Sequence, residues 1–184
     1  MDWQSFVDRH LAKVLKMAGL ESTCVSRNAA AQIITAASIM AAEKKQFETL
    51  LFHHYLDLCQ DSDISIRKNT LSNLKFLFQK IEPSEVERLF FSELITHLND
   101  PSSTIRFIVM EDILMYHQLF STQSLLNDFV PSLLKEFELG WKETDNWLLQ
   151  NCAIAVNFLL GRNLLQEDFI PTINKFFDVL LMLI

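Results

Sequence analysis

The side chains able to ligate a metal or move a proton are few and scattered. Five histidines, His10, His53, His54, His97 and His117, share the chain with three cysteines, Cys24, Cys59 and Cys152. His53 and His54 are adjacent, so on a helix they point about 100° apart and cannot converge on one ligand. No His-Glu-x-x-His, Gly-x-Ser-x-Gly, phosphate-loop or dinucleotide-loop spacing occurs. The cysteines form no Cys-x-x-Cys pair, and their apolar neighbours suggest small buried hydrophobes in a reducing compartment. No catalytic residue, metal site or cofactor is expected.

A different pairing recurs. In LCQDSDISIRK, Asp61 precedes Arg67 by six positions; in LNDPSSTIRF, Asp100 precedes Arg106 by the same interval; LESTCVSRN carries the variant Glu21 and Arg27. Arg27, Arg67 and Arg106 are 40 and 39 residues apart. A second marker gives the same period: Asp-Phe-Val-Pro at Pro131 returns as Asp-Phe-Ile-Pro at Pro171, each followed by Lys and Phe at matching offsets. Such a period, with two helices per unit, specifies an all-α, HEAT-type α-solenoid.

Helical patterns fall at 2–18, 23–43, 46–59, 63–80, 83–98, 103–118, 122–138, 145–160 and from 166 onward. They make about four and a half pairs in one domain, with repeats near 1–43, 44–81, 82–120, 121–162 and a partial 163–184. In the first helix Val7, Leu11, Val14 and Ala18 form the apolar stripe. Gly19, Gly140 and Gly161 fall at helix ends, and Pro83 at a first turn. Pro131 and Pro171 lie inside helical patterns and imply a built-in bend there. Phe47, Phe52, Phe76, Phe78, Phe90 and Phe91 are expected in the core.

The paired charges then have a structural role. Glu21, Asp61 and Asp100 sit where the second helix of a pair begins and can accept from its unpaired N–H groups. Arg27, Arg67 and Arg106 lie in that helix's first turn and can reach the acid of the neighbouring repeat, giving an Asp–Arg ladder.

The runs LDLCQDSDISIRKNTLSNLKFLF and SELITHLNDPSSTIRFIVMEDIL resemble the HEAT repeats of the scaffold subunit of protein phosphatase 2A. They are similar also to those of regulatory subunit 1 of protein phosphatase 4. The likeness spans roughly residues 20–120. It implies a scaffold whose turns form a ridge that grips a serine/threonine phosphatase subunit. The chain departs from the resemblance at LGWKETDNW, where Trp141 and Trp147 replace the Asp/Arg pair. The residues expected to touch a partner along the ridge are Asp63, Ser103, Thr104, Trp141, Lys142, Asp145 and Trp147.

Two other readings fit the fold. A transport or tubulin-binding solenoid would carry Trp and Lys in several turns, and a HEAT-like DNA glycosylase would need a basic groove. The net charge of −7 and the lack of a Lys/Arg run disfavour nucleic acid and anionic membranes. The longest uncharged run, residues 146–161, is too short and polar to span a bilayer. The expected location is cytoplasmic or nuclear. The apolar C-terminal face at 174–184 invites self-association.

Overall fold

The computed structural model describes residues 2–19 and 21–140, and then 154, 157–161, 167, 170, 171, 173, 174, 177 and 178. All regular structure among them is helical, with no strand, as an α-solenoid requires. The chain divides into two compact units, Met1–Asp112 and Ile113–Ile184.

In the first unit the helices are α1 (3–18), α2 (Cys24–Glu43), α3 (Phe47–Leu50 and Phe52–Cys59), α4 (Ile64–Leu71 and Leu74–Phe78), α5 (Pro83–His97) and α6 (Ser103–Met115), the last running past the unit's end. Four of these six starts have a local cause. The Asp2 carboxylate accepts from the Ser5 amide, the Thr23 hydroxyl from the Ser26 amide, and the Asp63 carboxylate from the Ser65 amide. Pro83 opens α5, where its missing N–H costs nothing. Trp3, Leu11 and Val14 bury the inner stripe of α1, with Val7 and Ala18 half-buried beside them.

Small residues let α2 approach its neighbours: Ala30, Ala31 and Ala41 are fully buried, and α2 packs against both α1 and α4. The core between α3, α4 and α5 is aromatic. Phe90 stands among Phe47, Phe52, Tyr55 and Phe78, with ring centroids 5.5–6.2 Å away. Such offset and edge contacts add to area burial. The Tyr55 hydroxyl donates to the Thr70 carbonyl at 2.8 Å, so its one polar atom is satisfied in the core. Phe76, expected inside, is 45 % exposed, because it faces outward from α4, with the Lys75 ammonium over its ring. Leu89, Phe90 and Phe91 are all buried.

The end of α1 departs from expectation. Gly19 ends α1 with extended backbone, so it does not use the left-handed conformation that favours glycine. The left-handed position belongs to Lys45, at φ 57°. Its amide donates to Ala42 and the Gln46 amide to Ala41, the paired bonds that close a helix C-terminus. Lys45→Gly is therefore expected to stabilise the fold by roughly 0.5–1 kcal/mol, because glycine enters this region without a Cβ clash. A rise in melting temperature is the check; a fall overturns the assignment of strain.

In the second unit α7 spans residues 122–140, capped by the Ser121 hydroxyl. It passes through Pro131 without a break, and a π-helical turn, Leu125–Phe129, ends just ahead of the proline. Proline lacks the N–H that the α-helical ladder would use there, and a widened turn accommodates the loss. Leu125, Phe129, Val130 and Leu133 are fully buried, and the Phe158 ring packs on Phe129 and His117.

Candidate partner-binding edge

The turns joining α1 to α2, α3 to α4, and α5 to α6 are tied together by two buried rungs. Arg27 reaches Asp61 with both ends of its guanidinium fork, Nε to Oδ2 at 2.7 Å and Nη2 to Oδ1 at 3.1 Å. Arg67 repeats this on Asp100 at 2.9 and 3.1 Å. The third guanidinium nitrogen of each is turned back on its own turn. Arg27 Nη1 donates to the Ser22 carbonyl at 2.8 Å, Arg67 Nη1 to Asp61 and Ser62, and Arg106 Nη1 to Asp100 and Pro101. Arg27 and Arg67 thus each fix the turn they leave and grip the next. The arginine side chains of the two rungs are 12–14 % exposed and the aspartates 2–5 %.

Burial pushes the Asp61 and Asp100 carboxyls up, but the guanidinium and a backbone amide outweigh it and hold both below the usual range. The amide in each case is that of the residue two positions on, Asp63 for Asp61 and Ser102 for Asp100, each at 2.8 Å. Asp61 and Asp100 therefore brace the turn itself. The expectation that they cap the following helix is corrected: Asp63 caps α4, and Thr23, not Glu21, caps α2. The reason is length, since the chain needs two further residues to turn before the helix begins. Glu21 is exposed and joins no rung among the described residues. The arginines reach forward along the chain, Arg27 to Asp61 and Arg67 to Asp100.

A buried histidine with no evident role in the sequence extends the second rung. His97 Nε2 lies 2.8 Å from Glu93 Oε1, and Nδ1 lies 3.8 Å from Asp100 Oδ2. Glu93 in turn accepts from Gln60 at 2.9 Å. The i, i+4 spacing of Glu93 and His97 is the signal that could have found it.

The expected contact residues divide. Asp63 is half-buried and its carboxylate is occupied: it caps α4, accepts from the Ser65 hydroxyl at 2.6 Å and from the Cys24 thiol at 2.8 Å. The thiol and the Ser65 groups lower its pKa to about 2. Cys24 is exposed at the start of α2, which corrects its expected burial; Cys59 is buried. Ser103 is half-buried and Thr104 exposed in the first turn of α6. Trp141, Lys142, Asp145 and Trp147 lie outside the described residues, as does most of 174–184, where Phe177 is 44 % exposed.

At the connections between α2 and α3 and between α4 and α5, exposed ion pairs join the same layers. Lys80 binds Glu43 at 2.7 Å, Arg88 binds Glu48 at 2.8 Å and also Glu85, and Lys45 stands 3.8 Å from Glu82. Glu43 and Glu48 titrate below their usual range because of Lys80 and Arg88 respectively. Exposed pairs of this kind are worth little individually.

Among the described residues no cluster of His, Cys, Asp and Glu could hold a metal ion, and no helix is long and apolar enough to cross a membrane. The arrangement is a row of short turns in fixed register. A family model described as PIK3R4-like, middle domain, matches residues 5–183. No curated protein and no solved structure matches the chain.

Proposed function

The chain belongs to the PIK3R4-like middle-domain family, and from that premise we propose that it is a non-enzymatic helical scaffold, a regulatory adaptor that binds protein along its turn edge. The observation that carries this reading is the double rung from Arg27 to Asp61 and from Arg67 to Asp100. The buried charge of these turns is spent on holding register, which suits a surface that must present short polar side chains at fixed spacing. The finer reading is a HEAT-type array of about four and a half pairs, cytoplasmic or nuclear, without cofactor.

The partner class favoured by the resemblance of residues 20–120 is a phosphatase of the 2A or 4 type. The family's description names no phosphatase, so that partner stands on the resemblance alone. A transport or tubulin-binding adaptor is the second reading; it calls for Trp and Lys in several repeats, and the sequence offers the adjacent pair once, at Trp141 and Lys142. A DNA glycosylase is disfavoured by the acidic charge.

Aromatic side chains dominate interface energetics, so Trp141→Ala with Trp147→Ala should leave helical content unchanged and weaken partner capture roughly 30-fold. Capture from lysate beside the intact chain, read by mass spectrometry, is the measurement. A phosphatase subunit held by the intact chain and lost from the variant supports the proposal. Loss of helical content instead would assign both indoles to the core, and tubulin in the captured fraction would favour the second reading. Association of the chain with itself, reduced by a polar substitution at Phe177, would give the 174–184 face to a second copy.

A further inference from the structure

The connections between α2 and α3 and between α4 and α5 enclose a groove of about 340 Å³. Its floor is apolar, formed by Ala42, Phe47 and Leu89. Its rim carries four carboxylates, Glu43, Glu48, Glu82 and Glu85, against two ammonium groups, Lys45 and Lys80. Glu43 is matched by Lys80, while Glu48 and Glu85 share the single guanidinium of Arg88. Among the described residues Glu82 pairs with Lys45, at 3.8 Å, with side chains 68 % and 83 % exposed. At that distance and exposure the pair holds neither partner firmly. With Arg88 counted, four carboxylates face three cations, so the rim keeps one negative charge in excess, and Glu82, just ahead of α5 and three positions before Glu85, is the least firmly held.

We propose that this groove receives an arginine side chain from a protein partner. An arginine suits it better than a lysine on two counts. Its flat, weakly hydrated guanidinium and three-carbon stem can lie on an apolar floor, and its fork can reach two carboxylates at once. The chain's overall acidity favours the approach of a basic segment. The partner itself is assumed from the scaffold reading; the chemistry of the groove is not, and it can be tested separately.

The test is titration of the isotope-labelled intact chain with N-acetyl-arginine methylamide at millimolar concentration, followed by amide chemical shifts. The expected result is a saturable shift confined to Ile81, Glu85, Leu89 and their neighbours. Glu82→Gln with Glu85→Gln should weaken it at least fivefold, as the loss of an exposed charge-assisted contact implies. These residues are exposed or half-buried, so the variant should melt as the parent does. Equal affinity for the variant, equal affinity for N-acetyl-lysine methylamide, or shifts spread over the whole surface would overturn the proposal. Should a partner be captured through Trp141 and Trp147 while the groove shows no such shift, the groove fails and the scaffold stands. Should the groove bind in a chain that captures nothing, the groove stands and the scaffold fails.

Discussion

Arg67→Ala lowers the stability of the fold by roughly 3 kcal/mol, about 10 °C in melting temperature for a domain of this size. The magnitude follows from what is left behind. Asp100 is 5 % exposed, and without the guanidinium its carboxylate keeps only the Ser102 amide and the edge of His97. The Asp61 and Ser62 carbonyls lose a donor at the same time. Charge reversal, Arg67→Glu, should be worse, because it sets two carboxylates together. Adding Asp100→Asn to Arg67→Ala should recover part of the loss, since an amide keeps its acceptor for Ser102 and sheds the buried charge. The pH dependence has a definite sign. Asp100 titrates below its unfolded value, so the rung's contribution is complete above that value, near pH 4, and disappears as pH falls through the folded one. The variant should therefore show a shallower loss of stability in acid. An unchanged melting midpoint for Arg67→Ala would remove the ladder as a source of stability.

Asp112→Asn should act in the opposite direction. Asp112 is 4 % exposed, one of its carboxylate oxygens has no partner, and burial raises its pKa to about 7, Lys75 opposing and Glu111 assisting. Between about pH 4 and pH 7 the folded chain holds a proton that the unfolded chain releases. Stability therefore falls as pH rises through that window and is flat above it, a cost reaching roughly 2–4 kcal/mol. Asparagine carries no charge at any of these values, so the variant should lose the slope and be the more stable protein at pH 8. Chemical denaturation at pH 5 and pH 8 measures both effects. A variant with the parent's pH slope would show that Asp112 is not the group responsible.

Much of the architecture could be read from residue order. Helix positions follow from apolar periodicity, and observed ends lie within a few residues of those expected for α1 to α7. The ladder's register was legible because it uses two residue types at a fixed interval, and such an interval survives in a one-dimensional string. The caps were not, because Asp61 and Asp63 are chemically alike and only the path of the turn decides which meets the helix. Cys24 misled for a related reason: its residue type suggests burial, but it stands in the first turn of α2 between Thr23 and Val25, all three exposed, with Val25 at 80 %. The ion pairs at the other connections left no trace, since Glu43 and Lys80 belong to a surface where charges are ordinary. The groove lacks a signature for the same reason, being assembled from two connections roughly 40 residues apart, one repeat period.

The two sets of cross-layer contacts differ in kind, and that difference has a mechanical meaning. On the turn edge the layers are joined by buried, forked bonds that leave almost no play. On the connection edge they are joined by solvated pairs that salt can loosen. A stack pinned along one side and lightly buttoned along the other yields under load by opening on the buttoned side, like a book on its spine. For residues 3–100 the spine is the Arg27–Asp61 and Arg67–Asp100 line. The pages part where Lys80 meets Glu43 and Arg88 meets Glu48.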